Sequence, residues 1–242
     1  MSHASAGIAI FVKTPGISPL KTRLAATEGV EYAENWYRLA AAAVADVARR
    51  SGAAVYWAVA EPQAMDAAIW QDLPRLAQVQ RPQSESATLG ARMHCVHQQL
   101  LARHSAAILL GADTPHLDVS VLHAVIDYLL DTKRRWAIAP ASDGGFWLHG
   151  ANSAAPLSAW ESVRYSASDT ATQLEFAMRD QGELARFKSE TDVDTADELS
   201  VCASALARLA QRTDKQLKLL QWMREKGGNM GRRTLEYPQT NG

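Results

Sequence analysis

The feature that most constrains the fold of this sequence is the alternation of short apolar runs with longer helical segments. The four clearest runs have the length of buried strands and cover residues 8–12, 55–60, 107–112 and 136–140. Helical patterns lie between them, at residues 28–50, 88–103 and 119–131. This alternation is typical of βα units, so the sequence predicts an α/β fold with a mostly parallel sheet covered by helices on both faces.

Weaker signals predict four further elements. A short helix is expected around residues 64–70, and a strand over residues 146–149 after a tight glycine turn. A helix is expected over residues 168–180 with Ser168 as its N-cap, and a last strand over residues 184–188.

The 242 residues suffice for one large α/β domain or two small ones, and a hydrophobic share of 47% supplies a full core. We predict one domain over residues 7–200, a C-terminal helix over residues 196–226 and a flexible tail over residues 227–242. The apolar positions of that helix follow helical spacing over a wide arc, which predicts burial on more than one side. The helix is therefore expected to pack on its own domain or to form a homodimer contact.

The charge, the cysteine content and the apolar runs indicate which partners and which compartment to expect for this protein. Lysine plus arginine number 25 and aspartate plus glutamate 26, so the net charge of −1 argues against a general nucleic-acid-binding surface. The two cysteines form no CxxC motif and are interpreted as core thiols of a reducing compartment. No apolar run is long enough to span a bilayer and the first residues lack the apolar segment of a signal peptide, so a cytoplasmic protein without membrane contact is expected.

The first apolar run leads into a loop that carries three cations, Lys13, Lys21 and Arg23, with Thr22 between the last two. Pro15 and Pro19 stiffen this loop and remove two backbone donors. Cations beside a strand end and a helix start would repel one another without an anion, and a phosphate chain is the natural one. The alternative is a solvated basic loop, but the clustering favours phosphate binding.

Asp113 ends a second apolar run, at the edge of the sheet where parallel strands place ligands. It precedes the helix expected from Val119 by several residues, which is too early for an N-cap. A carboxylate there suits a hard cation, Mg²⁺ or Mn²⁺, which binds through one or two carboxylates and substrate phosphates. Either Asp194 or Thr195 is a good N-cap for the C-terminal helix, and Asp194 is an equally good candidate for a second metal ligand. Asp192 is a weaker candidate for the metal.

Asp143 precedes two glycines, Gly144 and Gly145, shortly after another apolar run. The carboxylate could accept hydrogen bonds from sugar hydroxyls while the glycines let backbone N–H groups approach a substrate. The alternative is a plain hairpin turn, for which Asp-Gly is the commonest signal.

Arg92 lies at the start of a predicted helix. It either reaches the nucleotide or is only a solvent-exposed residue on the surface of that helix.

These residues resemble one family when they are taken in order along the chain. The motifs are Lys13-x-Pro15 with Lys21-Thr22-Arg23-Leu24, Leu89-Gly90-x-Arg92-Met93, Gly111-x-Asp113-x-Pro115, Asp143-Gly144-Gly145-Phe146 and Asp192-Val193-Asp194-Thr195. The sequence is similar in them to the DUF2064 family of glycosyltransferase-A-fold proteins, and its opening resembles the phospholactate guanylyltransferases. The resemblance implies a Rossmann-like domain that binds a nucleotide or nucleotide sugar.

Three functions follow as hypotheses. The first is glycosyl transfer from a nucleoside-diphosphate sugar, with Lys13, Lys21 and Arg23 on the phosphates, Asp113 on the metal and Asp143 on the sugar or acceptor. The second is nucleotidyl transfer with release of pyrophosphate, and the third is nucleotide binding without turnover. The sequence names neither the acceptor nor a catalytic base.

Overall fold

A computed structural model describes residues 5–79 and 87–233 of the chain. Within them, a seven-stranded sheet has the order β3-β2-β1-β4-β6-β5-β7. All neighbouring strands are parallel except that β6 runs antiparallel to both β4 and β5. The strands are β1 (Ala6–Val12), β2 (Ala54–Val59), β3 (Arg75–Ala77), β4 (Ala106–Gly111), β5 (Arg135–Pro140), β6 (Phe146–Ala151) and β7 (Glu183–Arg186). The predicted α/β fold with a mostly parallel, mixed sheet is confirmed.

The α-helices cover both faces of this sheet. They are α1 (Thr22–Glu28), α2 (Val30–Arg50), α3 (Leu89–Leu101), α4 (Val119–Leu129), α5 (Leu157–Glu161), α6 (Thr170–Met178), α7 (Ala196–Arg208) and α8 (Asp214–Arg233). Among the described residues, no helix has the length and apolar character needed to cross a membrane.

The two faces of the sheet bury side chains of different size. On the face that packs against α2, α4, α7 and α8, β1 and β4 present large residues such as Ile8, Ile10 and Ile108. On the face that packs against α3, α5 and α6, the central strands present Ala9, Ala58 and Ala107 among larger neighbours. Successive side chains of a strand point to opposite faces, so this division follows directly from the sequence of each buried run.

Several element boundaries differ from the sequence prediction. The helix expected over residues 28–50 is α2, which begins at Val30 after Gly29, whose φ of 92° lies in the region that favours glycine. The separate helix α1, which ends at Glu28, was not predicted. Two short 3₁₀ turns, Pro62–Ala64 and Ala68–Trp70, replace the helix expected at residues 64–70. Asp169, not Ser168, is the N-cap residue of α6. β3 and α5 were not predicted, because three strand residues and five helical ones carry too little periodicity.

The predicted C-terminal helix is two helices, α7 and α8, and the second reaches Arg233 in the segment that was expected to be a tail. Leu219, Leu220 and Met223 are buried in the same core as α2, and the Trp222 ring lies 4.8 Å from the Tyr32 ring. Most of the wide apolar arc is therefore covered within one chain, although the side chain of Leu217 is 46% exposed. A homodimer through this helix stays a prediction, and residues 234–242 lie outside the described part of the tail.

Two histidines lie in the core between the sheet and α5. His97 and His149 are buried, their rings are 5.7 Å apart, and both rings contact that of Trp160. Neither nitrogen of His97 has a hydrogen-bond partner in the structure. Burial lowers the pKa of His149 to about 3, and burial together with the nearby His149 lowers the pKa of His97 well below its ordinary value. Both rings are therefore neutral in the folded protein near neutral pH.

We predict that acid destabilises the fold through these two rings. A histidine whose pKa is depressed on folding contributes stability that is complete above the unfolded pKa near 6.5 and is lost as the pH falls below it. The free energy of unfolding should therefore fall by about 2 kcal/mol for His149 alone between pH 7 and pH 5. His149→Phe should lose less stability over this interval than the wild type, as measured by urea unfolding at both pH values.

His123 is exposed on α4 and provides the matched control. His123→Gln should keep the wild-type dependence of unfolding free energy on pH. If the wild type and His149→Phe lost equal stability between pH 7 and pH 5, His149 would not be a cause of the acid destabilisation.

Candidate functional site

A pocket of about 1050 Å³ opens where the carboxyl ends of three neighbouring parallel strands meet. Lys13 follows β1 directly, while Glu61 and Asp113 each lie two residues beyond the ends of β2 and β4. The loop from β1 to α1 forms one wall of the pocket, and the start of α3 forms another. The carboxyl-terminal edge of the sheet, where the sequence predicts the site, thus brings together most of the predicted site residues.

Lys21 joins two of the predicted metal ligands. Its ammonium lies 2.6 Å from Asp113 Oδ2 and 2.7 Å from Asp194 Oδ1, and only 5% of its side chain is exposed. Burial by itself lowers the pKa of this ammonium, but the charges of Asp113 and Asp194 more than offset the effect and leave the pKa raised. The lysine was expected on phosphate, whereas its contacts in the structure are with two carboxylates.

The backbone of Lys21 is held in an uncommon conformation. Its φ of 44° and ψ of 48° lie in the left-handed region at the residue before α1. A residue with a Cβ pays roughly 1–2 kcal/mol for this conformation, so the surrounding contacts must over-determine it. The Lys21 carbonyl accepts a hydrogen bond from the Ala25 N–H at 2.7 Å, and its ammonium pairs with Asp113 and Asp194.

The segment before α7 carries Asp194 to this place. The Val193 N–H donates a hydrogen bond to the backbone carbonyl of Asp113, at 3.3 Å. The Glu198 carboxylate accepts from the N–H groups of both Asp194 and Thr195, and Thr195 is the N-cap residue of α7. Asp194 is thus not used as the cap, and its carboxylate is available to the pocket.

Asp192 adds a third carboxylate beside this pair. It is largely buried and accepts a hydrogen bond of 2.6 Å from the Thr114 hydroxyl. Burial, followed by the charge of Asp113, raises the pKa of Asp192 to about 6 in spite of the hydrogen bond from Thr114. The charge of Asp143 also contributes to this increase, so Asp143 lies near the carboxylates.

Asp113 itself does not cap a helix. The N-cap of α4 is Asp118, whose carboxylate accepts from the Ser120 N–H at 2.9 Å. Asp113 Oδ2 contacts Lys21, but Asp113 Oδ1 is buried without a hydrogen-bond partner. This unpaired oxygen is the clearest sign that the carboxylate is placed for a ligand and not for the fold.

The remaining predicted cations line the same pocket. Lys13 and Arg23 are exposed there, and Thr22 lies beside Arg23 at the start of α1. Arg92 reaches the pocket from the first turn of α3, where its Nε donates to the Ala87 carbonyl at 3.1 Å. The predicted nucleotide-binding residues therefore lie around one cavity, with the carboxylates on one side of it.

Asp143, Gly144 and Gly145 form the hairpin turn between β5 and β6. The Gly145 N–H donates to Asp143 Oδ1 at 2.8 Å, and the φ of Gly144 is 89°. A side chain at Gly144 would collide with the backbone of Ser168, so the glycine is required by this close approach. None of these three is among the described residues that line the pocket. The geometry supports the hairpin alternative, and their predicted roles with substrate stay predictions.

The arrangement of carboxylates fits a divalent cation that is completed by phosphate. Asp113 and Asp194 both point an oxygen at the one position that the Lys21 ammonium holds. Over residues 5–79 and 87–233, no group of three or more Asp, Glu, His or Cys side chains is arranged to hold a metal by itself. Two carboxylates with substrate oxygens are the usual ligands of Mg²⁺ in phosphate-transfer sites.

The sequence profile of DUF2064, a family described as uncharacterized proteins conserved in bacteria, matches residues 43–167, just over half of the chain. The chain belongs to the DUF2064 family. No curated protein matches the sequence.

Solved structures support the fold of this DUF2064 protein. A "putative nucleotide-diphospho-sugar transferase" from Desulfovibrio desulfuricans G20 is 23% identical, with 95% of this chain and 98% of that one covered at a TM-score of 0.80. CMP:2-keto-3-deoxy-manno-octonic acid synthetase complexed with CTP is 14% identical. The alignment covers 85% of this chain and 100% of that one, at a TM-score of 0.51. The 4-diphosphocytidyl-2C-methyl-D-erythritol synthase from Anaerococcus prevotii DSM 20548 is 9% identical. The alignment covers 85% of this chain and 97% of that one, at a TM-score of 0.50. All three share the Rossmann-like α/β architecture.

Sequence reasoning missed Glu61 and Tyr37 in this DUF2064 pocket. Glu61 Oε2 accepts from the Thr14 N–H at 3.0 Å, and the Tyr37 hydroxyl accepts from the Lys13 N–H at 3.0 Å. Both bonds hold the loop that carries the cations, and Trp70 adds a third by donating to the Thr14 hydroxyl. Glu61 could have been found, since it follows a strand end as Asp113 does. Tyr37 lies within a helix and carries no comparable signal.

We predict that Glu61 acts as an anchor of the loop. Glu61→Ala leaves the buried Thr14 N–H without an acceptor, which should lower the free energy of unfolding by about 1–3 kcal/mol. Glu61→Gln keeps an acceptor oxygen and should lose clearly less. Chemical unfolding of both variants measures the difference, and equal losses would show that the Thr14 bond is not the reason for the burial of Glu61.

Proposed function

We propose that this protein is a nucleotidyltransferase that binds a nucleoside triphosphate with a divalent cation and transfers the nucleotidyl group to an anionic acceptor. The observation that carries the proposal is the convergence of Asp113 and Asp194 on one cation position beside a pocket lined by further cations. Carboxylates on one side and cations on the other suit a metal-bound phosphate chain.

The balance of charge favours a triphosphate over a diphosphate sugar. Lys21 is paired with Asp113 and Asp194, whereas Lys13 and Arg23 line the pocket and form no ion pair with a carboxylate among the described residues. A triphosphate carries about four negative charges and keeps about two when a divalent cation is bound, whereas a metal-bound diphosphate sugar is near neutral. The two positive charges of Lys13 and Arg23 match the more anionic ligand.

The side chains around the pocket also favour an anionic acceptor. No histidine is among the described residues that line it, and the three lining carboxylates are Glu61, Asp113 and Asp194. Glu61 holds the Thr14 N–H, and the other two hold Lys21. A hydroxyl acceptor would need a base to remove its proton, whereas a phosphate or carboxylate oxygen attacks without one.

The proposed reaction is an in-line displacement at phosphorus. An anionic oxygen of the acceptor attacks the α-phosphorus, a new P–O bond forms, and the bond to the bridging oxygen of the β-phosphate breaks, so that pyrophosphate leaves with the electron pair. Lys13, Arg23 and Arg92 bind and orient the departing phosphates. A cation held by Asp113 and Asp194 would offset the charge that builds on them.

Glycosyl transfer is the second candidate, and it ranked first on the sequence alone. The support for it is the description of the Desulfovibrio protein, which aligns over 95% of this chain. In this reaction a nucleoside-diphosphate sugar is consumed and nucleoside diphosphate is released, in place of pyrophosphate.

The products of the reaction separate these candidates. Purified protein with Mg²⁺ or Mn²⁺ is first screened for thermal stabilisation by nucleoside triphosphates and nucleotide sugars. The best ligand is then incubated with phosphate- and carboxylate-bearing acceptors. Pyrophosphate release supports nucleotidyl transfer, nucleoside diphosphate release supports glycosyl transfer, and binding without either product supports a non-catalytic nucleotide-binding protein.

We predict that Asp113→Asn lowers turnover by about a hundredfold or more while the fold survives. Asparagine keeps the volume but loses the charge that a hard cation requires, so stabilisation of the leaving phosphates should weaken. The reaction rate at saturating nucleotide, measured as a function of Mn²⁺ concentration, tests this. Asp127→Asn, on the exposed face of α4, is the control and should behave as the wild type. Full metal-stimulated turnover in Asp113→Asn would assign Asp113 a structural role.

A further inference from the structure

The position between Asp113 and Asp194 holds one cation, and in this structure that cation is part of the chain. The Lys21 ammonium is within hydrogen-bond distance of one oxygen from each carboxylate. The two oxygens are the ones that would bind a divalent cation in the proposed function. A divalent cation bound to both of these oxygens would lie at the position of the ammonium, and two positive charges so close together would repel each other.

Three observations show that Lys21 fits this position closely. Its side chain is almost fully buried, its backbone adopts the left-handed conformation, and its ammonium lies 5.8 Å from the centre of the Trp36 ring. The aliphatic stem is thus enclosed, and only the ammonium faces the carboxylates.

We propose that Lys21 is a built-in counter-ion that excludes free divalent cations from the site until a phosphate chain arrives with the metal. This inference rests on the proposed function. A bare metal ion must displace the ammonium from both carboxylates and leave it buried without an anionic partner, which is costly. A metal that arrives on a phosphate chain brings new acceptors for Lys21, so the ammonium moves from carboxylate to phosphate as the metal takes its place.

The consequence is that one side chain, Lys21, couples the binding of the metal to the binding of the phosphate chain. Coupling free energies between two ligands are reciprocal, so the phosphate chain should raise affinity for the metal as much as the metal raises affinity for the phosphate chain. Removal of the ammonium should affect the two kinds of binding in opposite directions. That reversal separates this role from that of an ordinary phosphate-binding lysine, whose loss would leave binding of bare metal unchanged.

The test uses Lys21→Met, which keeps an apolar stem and removes the charge. Binding of bare Mn²⁺ is measured from the electron paramagnetic resonance signal of the free ion, and binding of the Mn²⁺ complex of inorganic triphosphate is measured by calorimetry. Bare Mn²⁺ should bind Lys21→Met about tenfold tighter than wild type or better, because a cation at the same position has been removed. The Mn²⁺–triphosphate complex should bind the variant more weakly than it binds the wild type.

Lys13→Met is the matched control. It removes the same charge from the same pocket, but the Lys13 ammonium forms no ion pair with any carboxylate in the described part of the chain. Its affinity for bare Mn²⁺ should stay within about threefold of the wild type. If circular dichroism shows that Lys21→Met is unfolded, Lys21→Gln replaces it, since an amide donates to carboxylates without a positive charge.

The outcomes also separate this inference from the proposed function. Bare Mn²⁺ affinity that is unchanged or lower in the folded Lys21 variant would overturn the counter-ion role, whatever the activity of the wild type. Tighter binding of bare Mn²⁺ in that variant, without pyrophosphate release by the wild type under any condition, would support the counter-ion role and reject nucleotidyl transfer.

Discussion

The ion pairs of one buried lysine connect parts of the chain that are far apart in sequence. Lys21 comes from the loop after β1, Asp113 from the end of β4, and Asp194 from the segment before α7. The backbone hydrogen bond from the Val193 N–H to the Asp113 carbonyl joins the segments that carry Asp194 and Asp113, and Lys21 is joined to both segments through its side chain. Because the lysine is buried, the loss of both pairs would leave its charge without a partner in a desolvated place. The pocket therefore depends on this contact for its shape as well as for its charge.

The pocket is positioned by the sheet order. β1 lies between β2 and β4, and all three are parallel, so the residues just after them converge on one edge. β6 reverses direction on the other side of β4, and the β5–β6 hairpin turn brings Asp143 near the carboxylates without placing it in the pocket lining. The ends of the parallel strands thus supply Lys13, Glu61 and Asp113 to the pocket, while no residue of β6 is among the described residues that line it.

Much of this could be predicted from the sequence, because the signals were local. The buried runs identified β1, β2, β4 and β5, and the distance from Asp113 to Val119 correctly excluded a capping role. The ion-pair partners of Lys21 could not be predicted, because both come from distant segments. Nothing in residues 13–23 distinguishes a lysine that binds phosphate from one that pairs with a carboxylate. The helix α1 was missed for a different reason. It has only seven residues, from Thr22 to Glu28, and such a short segment carries little helical periodicity.

The small side chains on one face of the sheet have a consequence for how ligand preference could change over evolution. Ala9, Ala58 and Ala107 let α3 lie close to the strands, and α3 carries Leu89 and Arg92 to the pocket. A larger residue at any of these alanines would push the helix away from the sheet and carry its first turn outward, since a packed interior has no spare volume. The width of the cavity is therefore set partly by residues in the core beneath it, and a lineage could accept a bulkier ligand through substitutions that never touch it.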